Sequence, residues 1–507
     1  MSDTTVAAAL RSSARLVVVE APAGCGKTFQ GAAYAGDVAG QVDHGRVLIL
    51  AHTHAACDVF ASRTRATAGR VDIRTIDSLI GQVATAYHLS LGLPKDTGAW
   101  ARIQKDGYAE LACKVAHLLR ASPMIARSVV QRYPILICDE HQDASADQHA
   151  IAMACHQAGA KVRIFGDPMQ RIYGGKSNSA IEADKERWES LKQSADVFGE
   201  LDQPHRWLKG SAALGHWILR ARAALLGGGT VDLSGNLPPE VSVIIAENQS
   251  PRFGGYGVAD DEGKPIYSLV KDANSLLILS AHNKTVRALR AFFGRRLPIW
   301  EGHVRDHLAG LVATTREHKG DAVTIANAVL AFLDEVTTGF TPSSYGKPIL
   351  TEVSAGCVAK RKGKPAVLQE LGRIILDQPD HRGAAKAIRR LSELIANDPA
   401  FKVVKLDYHR EFWDAVRIGQ FDDPDEGFAE ISRRRSYTRP SPPTKAISTV
   451  HKAKGLERSD VLLMPCDARH FSNTAAARCS LYVAMSRAMR SLTFVVSRRT
   501  PSPLIAL

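Results

Sequence analysis

The sequence has 507 residues, too many for one compact core, so we expect roughly two to four domains. Its 45% hydrophobic and 23% charged residues are typical of a soluble globular protein, and its formal net charge of +13 favours a polyanionic partner. It has neither a basic segment followed by an apolar run nor a stretch of ~20 apolar residues, so we expect no membrane partner and a cytoplasmic location.

The first predicted strand, at 16–20, leads into a phosphate-binding loop with the sequence A-P-A-G-C-G-K-T. Its small residues let backbone N–H groups close around phosphate oxygens at the positive end of the next helix. Lys27 is expected to reach the β- and γ-phosphates, and the Thr28 hydroxyl to bind Mg²⁺. The strict pattern begins with glycine rather than alanine, but the order of strand, loop and Gly-Lys-Thr disfavours the alternative, a glycine-rich turn with a surface lysine. The predicted nucleotide-binding residues of this loop are Ala21, Gly24, Gly26, Lys27 and Thr28.

Short apolar runs that alternate with helical patterns predict buried parallel strands in wound α/β sheets. An early set of these runs comprises 47–50, 135–138 and 162–165. A later set comprises 276–279, 461–464 and 492–496. The residues between the first two runs of the later set are largely helical in pattern and end in a Pro- and Arg-rich linker. We therefore predict two α/β domains, with an insertion that interrupts the second.

A carboxylate pair, Asp139 and Glu140, follows the predicted strand at 135–138. Asp139 at the strand tip is predicted to hold Mg²⁺ through water, and Glu140 to polarise the water that attacks the γ-phosphate. Exposed acids that cap a strand are the alternative. Because Lys27 and Thr28 are expected on a neighbouring strand, we favour the catalytic interpretation.

The predicted strand at 162–165 is followed by the segment G-D-P-M-Q-R-I-Y. Here we expect the amide of Gln170 to sense the γ-phosphate, and Tyr173 to face a ligand at the edge of the sheet. Taken alone, this segment would be interpreted as a turn.

Together, these motifs resemble those of superfamily 1A DNA helicases of the UvrD, Rep and PcrA type. Further segments match the family in order along the chain: H-T-H-A-A at 52–56, T-I-D-S-L at 75–79, L-D-Q-P-H-R at 201–206, T-V-H-K-A-K-G-L-E at 449–457 and Y-V-A-M-S-R-A at 482–488. The motifs bracket nearly the whole chain, and their joint order is highly specific.

The resemblance implies an α/β fold of two RecA-like P-loop NTPase domains, with parallel sheets flanked by helices and reduced, mostly helical insertions. It places domain 1A at 1–200, with a short helical insertion, 1B, at about 88–130. It places domain 2A at 201–280 and 446–507, and the inserted subdomain 2B at 281–445.

The resemblance also implies roles for residues outside the phosphate loop. Arg206 and Arg487 would reach across to the γ-phosphate, where a planar, permanently charged guanidinium offsets the charge that develops in phosphoryl transfer. Glu457 would contact the ribose, and Tyr482 would lie beside the interdomain cleft. Single-stranded DNA would touch Thr53, Thr75, Tyr173, Thr449 and His451. For each threonine, a side chain that is satisfied locally is the alternative.

Departures from the family bear on these expectations. Residues 1–20 contain no counterpart of the glutamine that reads adenine, so the nucleobase preference stays open. Gly174-Gly175-Lys176 replaces a W/F-R-G stretch whose aromatic residue stacks on a base, a contact worth roughly 1–3 kcal/mol per base. Asp77 and Pro204-His205 replace the usual His and Asn-Tyr. We therefore expect weaker unwinding than in full-length relatives.

Compact chains with these motifs resemble the helicase-like subunit of the Gabija phage-defence system, which works beside a separate nuclease subunit of the OLD family. The implied function is ATP- and Mg²⁺-dependent 3′-to-5′ movement on single-stranded DNA. The alternative is a regulatory ATPase subunit of an anti-phage nuclease complex, which senses nucleotides or DNA ends and unwinds weakly. A small-molecule kinase is disfavoured, because it needs neither Arg487 in its Y-V-A-M-S-R-A setting nor so long a chain.

Three other patterns are weaker signals. The eight cysteines include no C-x-x-C pair, which argues against zinc and redox motifs. His52 and His54 alternate like a metal-binding pair, but no further ligands lie nearby in the sequence. Cys138 adjoins Asp139 and His141 like a nucleophile, yet its position in a buried strand predicts an inert thiol.

Overall fold

The computed structural model describes the chain except for residues 1, 53, 105, 173–176, 250–254, 301–305 and 439–441. The chain divides into two compact units, one comprising Met1–Thr285 with Ile447–Leu507 and the other Val286–Ala446. No helix among the described residues is long and apolar enough to span a bilayer.

The first part of the larger unit is a parallel sheet flanked by helices. Its strands are β1 (Leu16–Glu20), β2 (Val47–Ala51), β3 (Val71–Thr75), β4 (Ile135–Cys138), β5 (Lys161–Gly166) and β6 (Val197–Glu200). Its helices are α1 (Asp3–Arg11), α2 (Lys27–Ala39), α3 (His54–Arg63), α4 (Ile76–Ala86), α5 (Thr97–Ile103), α6 (Gly107–Ala121), α7 (Pro123–Arg132), α8 (Ala146–Gln157) and α9 (Asn178–Ser194). The strand order is β3-β2-β4-β5-β1-β6, and every pairing is parallel.

One detail of the predicted sheet is wrong. The strand that carries the carboxylate pair, β4, is not a neighbour of the phosphate-loop strand β1, because β5 hydrogen-bonds to both and lies between them. The carboxyl ends of all three strands still lie at the same edge of the sheet. The loops that follow them can therefore converge on one site.

After β6 the chain begins a second sheet. The elements in this stretch are α10 (Ala212–Leu226), β7 (Val231–Asp232), β8 (Val241–Ile245), α11 (Asp260–Asp272) and β9 (Leu276–Ser280). Strand β9 is buried along its whole length, as its continuous apolar run predicts.

The smaller unit is mainly helical. Helix α12 (Asn283–Phe292) crosses the boundary between the units. The other elements are α13 (Asp306–Glu317), α14 (Ala322–Val336), β10 (Thr337–Thr338), α15 (Lys347–Ser354), α16 (Lys364–Asp377), α17 (His381–Asn397), β11 (Lys405–Leu406), α18 (His409–Ile418) and α19 (Pro424–Thr438). Within this unit the buried carboxylate of Asp407 pairs with Arg290 at 3.1 Å and Arg295 at 2.5 Å.

The chain then returns and completes the second sheet. The returning elements are β12 (Lys445–Thr449), β13 (Arg458–Cys466), α20 (Ala475–Met485), β14 (Ala488–Val496) and β15 (Ile505–Ala506). The order of the five main strands is β12-β9-β13-β14-β8, with parallel pairing among β9, β13, β14 and β8. The predicted fold class, α/β with parallel sheets flanked by helices, is confirmed. Below, the first lobe is residues 2–200 and the second lobe is residues 201–285 and 447–507.

The core of the first lobe gives a test of this packing. Leu48 on β2 is fully buried, whereas Leu89 is 82% exposed. We expect Leu48→Ala to lower the free energy of unfolding by about 2–5 kcal/mol, because it removes buried methyl groups and leaves a cavity. Urea denaturation followed by circular dichroism measures the change. Leu89→Ala is the matched control, and an equal loss in both variants would contradict the assigned burial.

Candidate functional site

The phosphate loop connects β1 to α2, and two of its glycines have backbones that other residues rarely adopt. Gly24 has φ +75° and Gly26 has φ +89°. A Cβ on Gly24 would lie 2.7 Å from the Cβ of Arg206 and 2.8 Å from the Trp207 ring. The N–H of Ala21, at the start of the loop, donates to Gly166 O at 2.9 Å. The loop is therefore held by strand β5 on one side and closely approached by the second lobe on the other.

Lys27, at the start of α2, pairs with Glu140 in the turn that follows β4. The ammonium nitrogen lies 2.8 Å from Oε1 of Glu140. Burial alone would lower the pKa of Lys27, but the negative charges of Glu140, Asp139 and Asp167 outweigh it and raise this pKa. Burial would likewise raise the pKa of Glu140, but Lys27 and Lys454 hold it below its usual range. Both groups are therefore charged at neutral pH.

Glu140 adopts a strained backbone conformation. Its φ of +51° and ψ of +39° are left-handed, which is uncommon for a residue with a side chain. Such strain tends to occur at functional sites, where it persists because the surrounding contacts over-determine the geometry. Here the carboxylate is fixed by Lys27 and by the amide of Gln142.

Asp139, at the end of β4, is suited to bind a cation. The residue is buried, and its Oδ1 has no hydrogen-bond partner among the described residues. Burial, together with the neighbouring charge of Glu140, raises the pKa of Asp139 to about 7. Thr28, the second residue of α2, is half-buried. An unsatisfied carboxylate oxygen and a threonine hydroxyl fit Mg²⁺, which takes few protein ligands and completes its shell with phosphate oxygens and water.

Gln170, in the short turn after β5, is held from within the first lobe and contacted by the second. Its side-chain amide donates to Oδ2 of Asp167 at 2.9 Å, and both residues are buried. The other oxygen, Oδ1, accepts from Arg222 of α10, which also pairs with Glu20 at 2.7 Å. Arg222 was not singled out from the sequence, because an arginine in an Ala- and Leu-rich helix carries no local signal.

The two predicted arginines of the second lobe meet at Ser486. Arg206 donates from Nη1 to the carbonyl oxygen of Ser486 at 2.7 Å, and Arg487 donates from Nη2 to its hydroxyl at 2.6 Å. Burial and the like charge of Arg206 lower the pKa of Arg487 to about 10. The backbone N–H of Arg206 also donates to Gly24 O at 3.1 Å, which brings this residue against the phosphate loop.

Glu457 and Tyr482 also reach this region from the second lobe. Glu457 forms an ion pair with Arg206. The Tyr482 hydroxyl, which is buried, accepts from the N–H of Ala23 in the phosphate loop at 2.8 Å. The structure thus brings both residues to the loop through protein contacts, and their nucleotide contacts stay predictions.

Lys454 of the second lobe is a site residue that the sequence analysis missed. Its ammonium donates to the carbonyl oxygen of Gln170 at 2.9 Å and pairs with Asp143. Asp143 and Gln170 belong to the two first-lobe segments that follow β4 and β5. A signal was present, since Lys454 lies within the quoted segment at 449–457, but no role was assigned to it.

Comparison with known families agrees with this geometry over the first lobe. Residues 3–206 match the AAA domain family AAA_30, a P-loop NTPase family related to superfamily 1 helicases. This segment is a P-loop NTPase domain. No curated protein matches the sequence. The matched residues include the phosphate loop, Lys27 and the acidic pair.

The residues predicted to contact DNA are less well supported by their surroundings. Thr53 and Tyr173 lie outside the described residues. The Thr75 hydroxyl caps α4 by accepting from the N–H of Ser78 at 3.2 Å. Thr449 is buried, and its hydroxyl accepts from the N–H of Lys452 at 3.2 Å. Local satisfaction therefore describes both threonines.

His451 is exposed next to this region. Its contact with DNA, like those of the four residues above, stays a prediction.

The structure also bears on the metal and nucleophile sites that the sequence disfavours. Among the described residues, no group of three or more His, Cys, Asp and Glu side chains could hold a metal ion. Cys138 is buried, and burial raises the pKa of its thiol to about 12. Burial likewise raises the pKa of Cys25 in the phosphate loop to about 12. Neither thiol is suited to nucleophilic chemistry.

These thiol environments predict selective labelling of the native protein. Cys113 is exposed, whereas burial raises the pKa of Cys57 to about 11 and of Cys479 to about 12. We expect a disulfide reagent at mildly alkaline pH to modify Cys113 first, because only thiolate reacts. Absorbance of the released thiolate measures the rate. Cys113→Ser should remove the fast phase, and a fast phase that persists would contradict the assigned burial of the others.

Proposed function

We propose that this protein is a DNA-stimulated ATPase of the UvrD type, which couples ATP hydrolysis to 3′-to-5′ movement along single-stranded DNA. The observation that carries the proposal is that second-lobe cations lie against the phosphate loop and against the first-lobe segments that follow β4 and β5. Arg206 contacts the loop at Gly24 and meets Arg487 at Ser486, and Lys454 contacts the segments that follow β4 and β5. A P-loop domain can bind nucleotide without a second sheet, but a motor needs a second domain that responds to the bound nucleotide.

The proposed mechanism assigns tasks to Lys27, Thr28, the acidic pair and the two arginines. Lys27 leaves Glu140 to bind the β- and γ-phosphates, which frees the Glu140 carboxylate to accept a proton from the attacking water. Thr28 and Asp139 would hold Mg²⁺, which when bound would neutralise charge on the phosphates. Arg206 and Arg487 stabilise the charge that develops on the transferred phosphoryl group.

The proposed coupling between the lobes uses the same residues. Arg206 exchanges Glu457 for phosphate oxygens, so nucleotide binding and hydrolysis change an ion pair within the second lobe. Lys454 links the second lobe to the turns that present Glu140 and Gln170, so displacement of its segment by DNA alters both catalytic residues. Stimulation of hydrolysis by DNA follows from this linkage.

The decisive experiment is a steady-state measurement of ATP turnover by the full chain, with and without single-stranded DNA. We expect turnover to rise when DNA is added and to fall with salt, because phosphate contacts depend on counterion release. Turnover that is indifferent to DNA would refute the motor. The same assay with other nucleoside triphosphates would settle the nucleobase preference.

Arg487 gives a sharper test of the second lobe. We expect Arg487→Ala to lower the hydrolysis rate by about 10³-fold or more, the scale of a lost arginine finger, while nucleotide affinity is retained. Turnover and binding of a fluorescent ATP analogue measure the two effects. Arg490→Ala is the control, since its side chain is 66% exposed. An Arg487 variant with normal turnover would remove the arginine from the mechanism.

The first-lobe residues predict different phenotypes. Glu140→Gln should bind nucleotide but fail to hydrolyse it, because the amide cannot accept the proton. Lys27→Ala should lose turnover, because the phosphates lose their positive partner. The same turnover and binding assays distinguish the two, and identical defects in binding would contradict the separate roles.

A regulatory ATPase that senses nucleotides or DNA ends for a nuclease partner in phage defence is the second candidate. It is favoured by the sequence Gly174-Gly175-Lys176, which lacks a base-stacking aromatic residue, and by the local bonding of Thr449. A strand-displacement assay beside the ATPase assay separates the candidates. Processive unwinding of long duplexes by the isolated chain would contradict the sensor.

A further inference from the structure

The site contains a buried arginine, Arg222, to which the proposed mechanism assigns no role. Arg222 lies on α10 of the second lobe, is only 8% exposed, and reaches the carboxyl ends of β1 and β5. Its Nη2 lies 2.7 Å from Oε1 of Glu20 and 2.7 Å from Oδ1 of Asp167. Its Nε donates to the same Asp167 oxygen at 3.0 Å. One guanidinium thus joins the second lobe to the two strands that precede the phosphate loop and the Gln170 turn.

Asp167 transmits this contact to Gln170. The Asp167 side chain is fully buried, and its two oxygens have different partners. Oδ1 accepts from Arg222 and from the N–H of Met169, at 3.1 Å, whereas Oδ2 accepts from the Gln170 amide at 2.9 Å. Because the carboxylate is rigid, the guanidinium that orients one oxygen also orients the other. A chain of hydrogen bonds therefore connects the Gln170 side chain to a residue of the opposite lobe.

Arg222 is also connected to the phosphate loop through Tyr482. Its guanidinium carbon lies 6.0 Å from the centre of the Tyr482 ring. The hydroxyl of that tyrosine accepts from the N–H of Ala23. Both Arg222 and Tyr482 belong to the second lobe, and Tyr482 carries the contact with the loop.

We propose that Arg222 is a positioning residue of the ATPase site, which promotes hydrolysis by holding Asp167 and, through it, Gln170. This inference rests on the proposed ATPase function. Arg222 does not touch the nucleotide in this scheme. It makes the orientation of Gln170 conditional on the docking of α10 against the first lobe.

A purely structural ion pair is the competing explanation, because any buried carboxylate that loses its partner destabilises the fold. Arg222→Lys separates the two, since it keeps the charge but cannot form the planar fork that bridges Glu20 and Asp167. We expect the turnover number to fall about 10- to 100-fold, the scale for loss of a residue that orients a site, with unchanged affinity for a fluorescent ATP analogue. Unchanged turnover would overturn the inference.

A double-mutant cycle with Gln170→Ala tests whether Arg222 acts through Gln170. If it does, the double variant turns over no more slowly than Gln170→Ala alone, because the side chain that Arg222 positions is already gone. If the two defects multiply, Arg222 acts independently and the inference is wrong. Should Arg222→Lys fail to fold by circular dichroism, Asp167→Asn replaces it in the same cycle, with the same expected non-additivity.

Two arginines serve as matched controls. Arg220 lies two residues away on α10 but is exposed, so Arg220→Lys should change neither turnover nor stability. Arg163 is fully buried and donates to the carbonyls of Leu10 and Ser12. Arg163→Lys should therefore lower the melting temperature but leave the coupling between Arg222 and Gln170 in the double-mutant cycle unchanged. An inactive wild type would overturn the proposed function and this inference together. An active wild type with multiplying defects would overturn the inference alone.

Discussion

The candidate site depends on mutual neutralisation of charges that the two lobes bury against each other. Its cations are Lys27, Arg206, Arg222 and Lys454, and the carboxylates that pair with them are Glu20, Glu140, Asp143, Asp167 and Glu457. An ionised group buried without a partner costs several kcal/mol, so these groups can be withdrawn from water to this extent only because they pair. Any triphosphate that binds here adds negative charge, and the pairs must then be redistributed.

Close approach of the lobes is what allows such pairing, and it has a simple steric basis. Gly24 leaves no room for a side chain, because the Cβ of Arg206 and the ring of Trp207 occupy that space. Trp207 in turn donates from its indole nitrogen to the carbonyl of Ala488 at 2.6 Å, within the second lobe. The loop that would hold phosphates is therefore also the surface on which the second lobe rests. Changes in the loop and changes in lobe contact cannot be separated.

Much of this arrangement follows from local sequence, and the exceptions share one cause. Continuous apolar runs identified β2, β4 and β9, and the spacing of Lys27 and Thr28 after β1 identified the loop. Strand order could not be predicted, since a run of apolar residues does not specify its neighbours, and β5 came to lie between β1 and β4.

Arg222 was missed for the same reason. It lies two residues from the exposed Arg220 on the same helix, and only tertiary packing distinguishes them.

The ion pairs of the site differ in how much water can reach them, and this difference decides which pairs can exchange partners. Glu140 and Glu457 retain 24% and 35% of their side-chain exposure, whereas Asp167 retains none. Water can solvate the first two when their cations leave, so exchange with phosphate is inexpensive there. The Arg222–Asp167 pair has no such compensation, and its disruption costs the full desolvation of a charge. The ion pairs of Glu140 and Glu457, near the phosphate loop, can therefore exchange their cations for phosphate, while the Arg222–Asp167 pair stays intact.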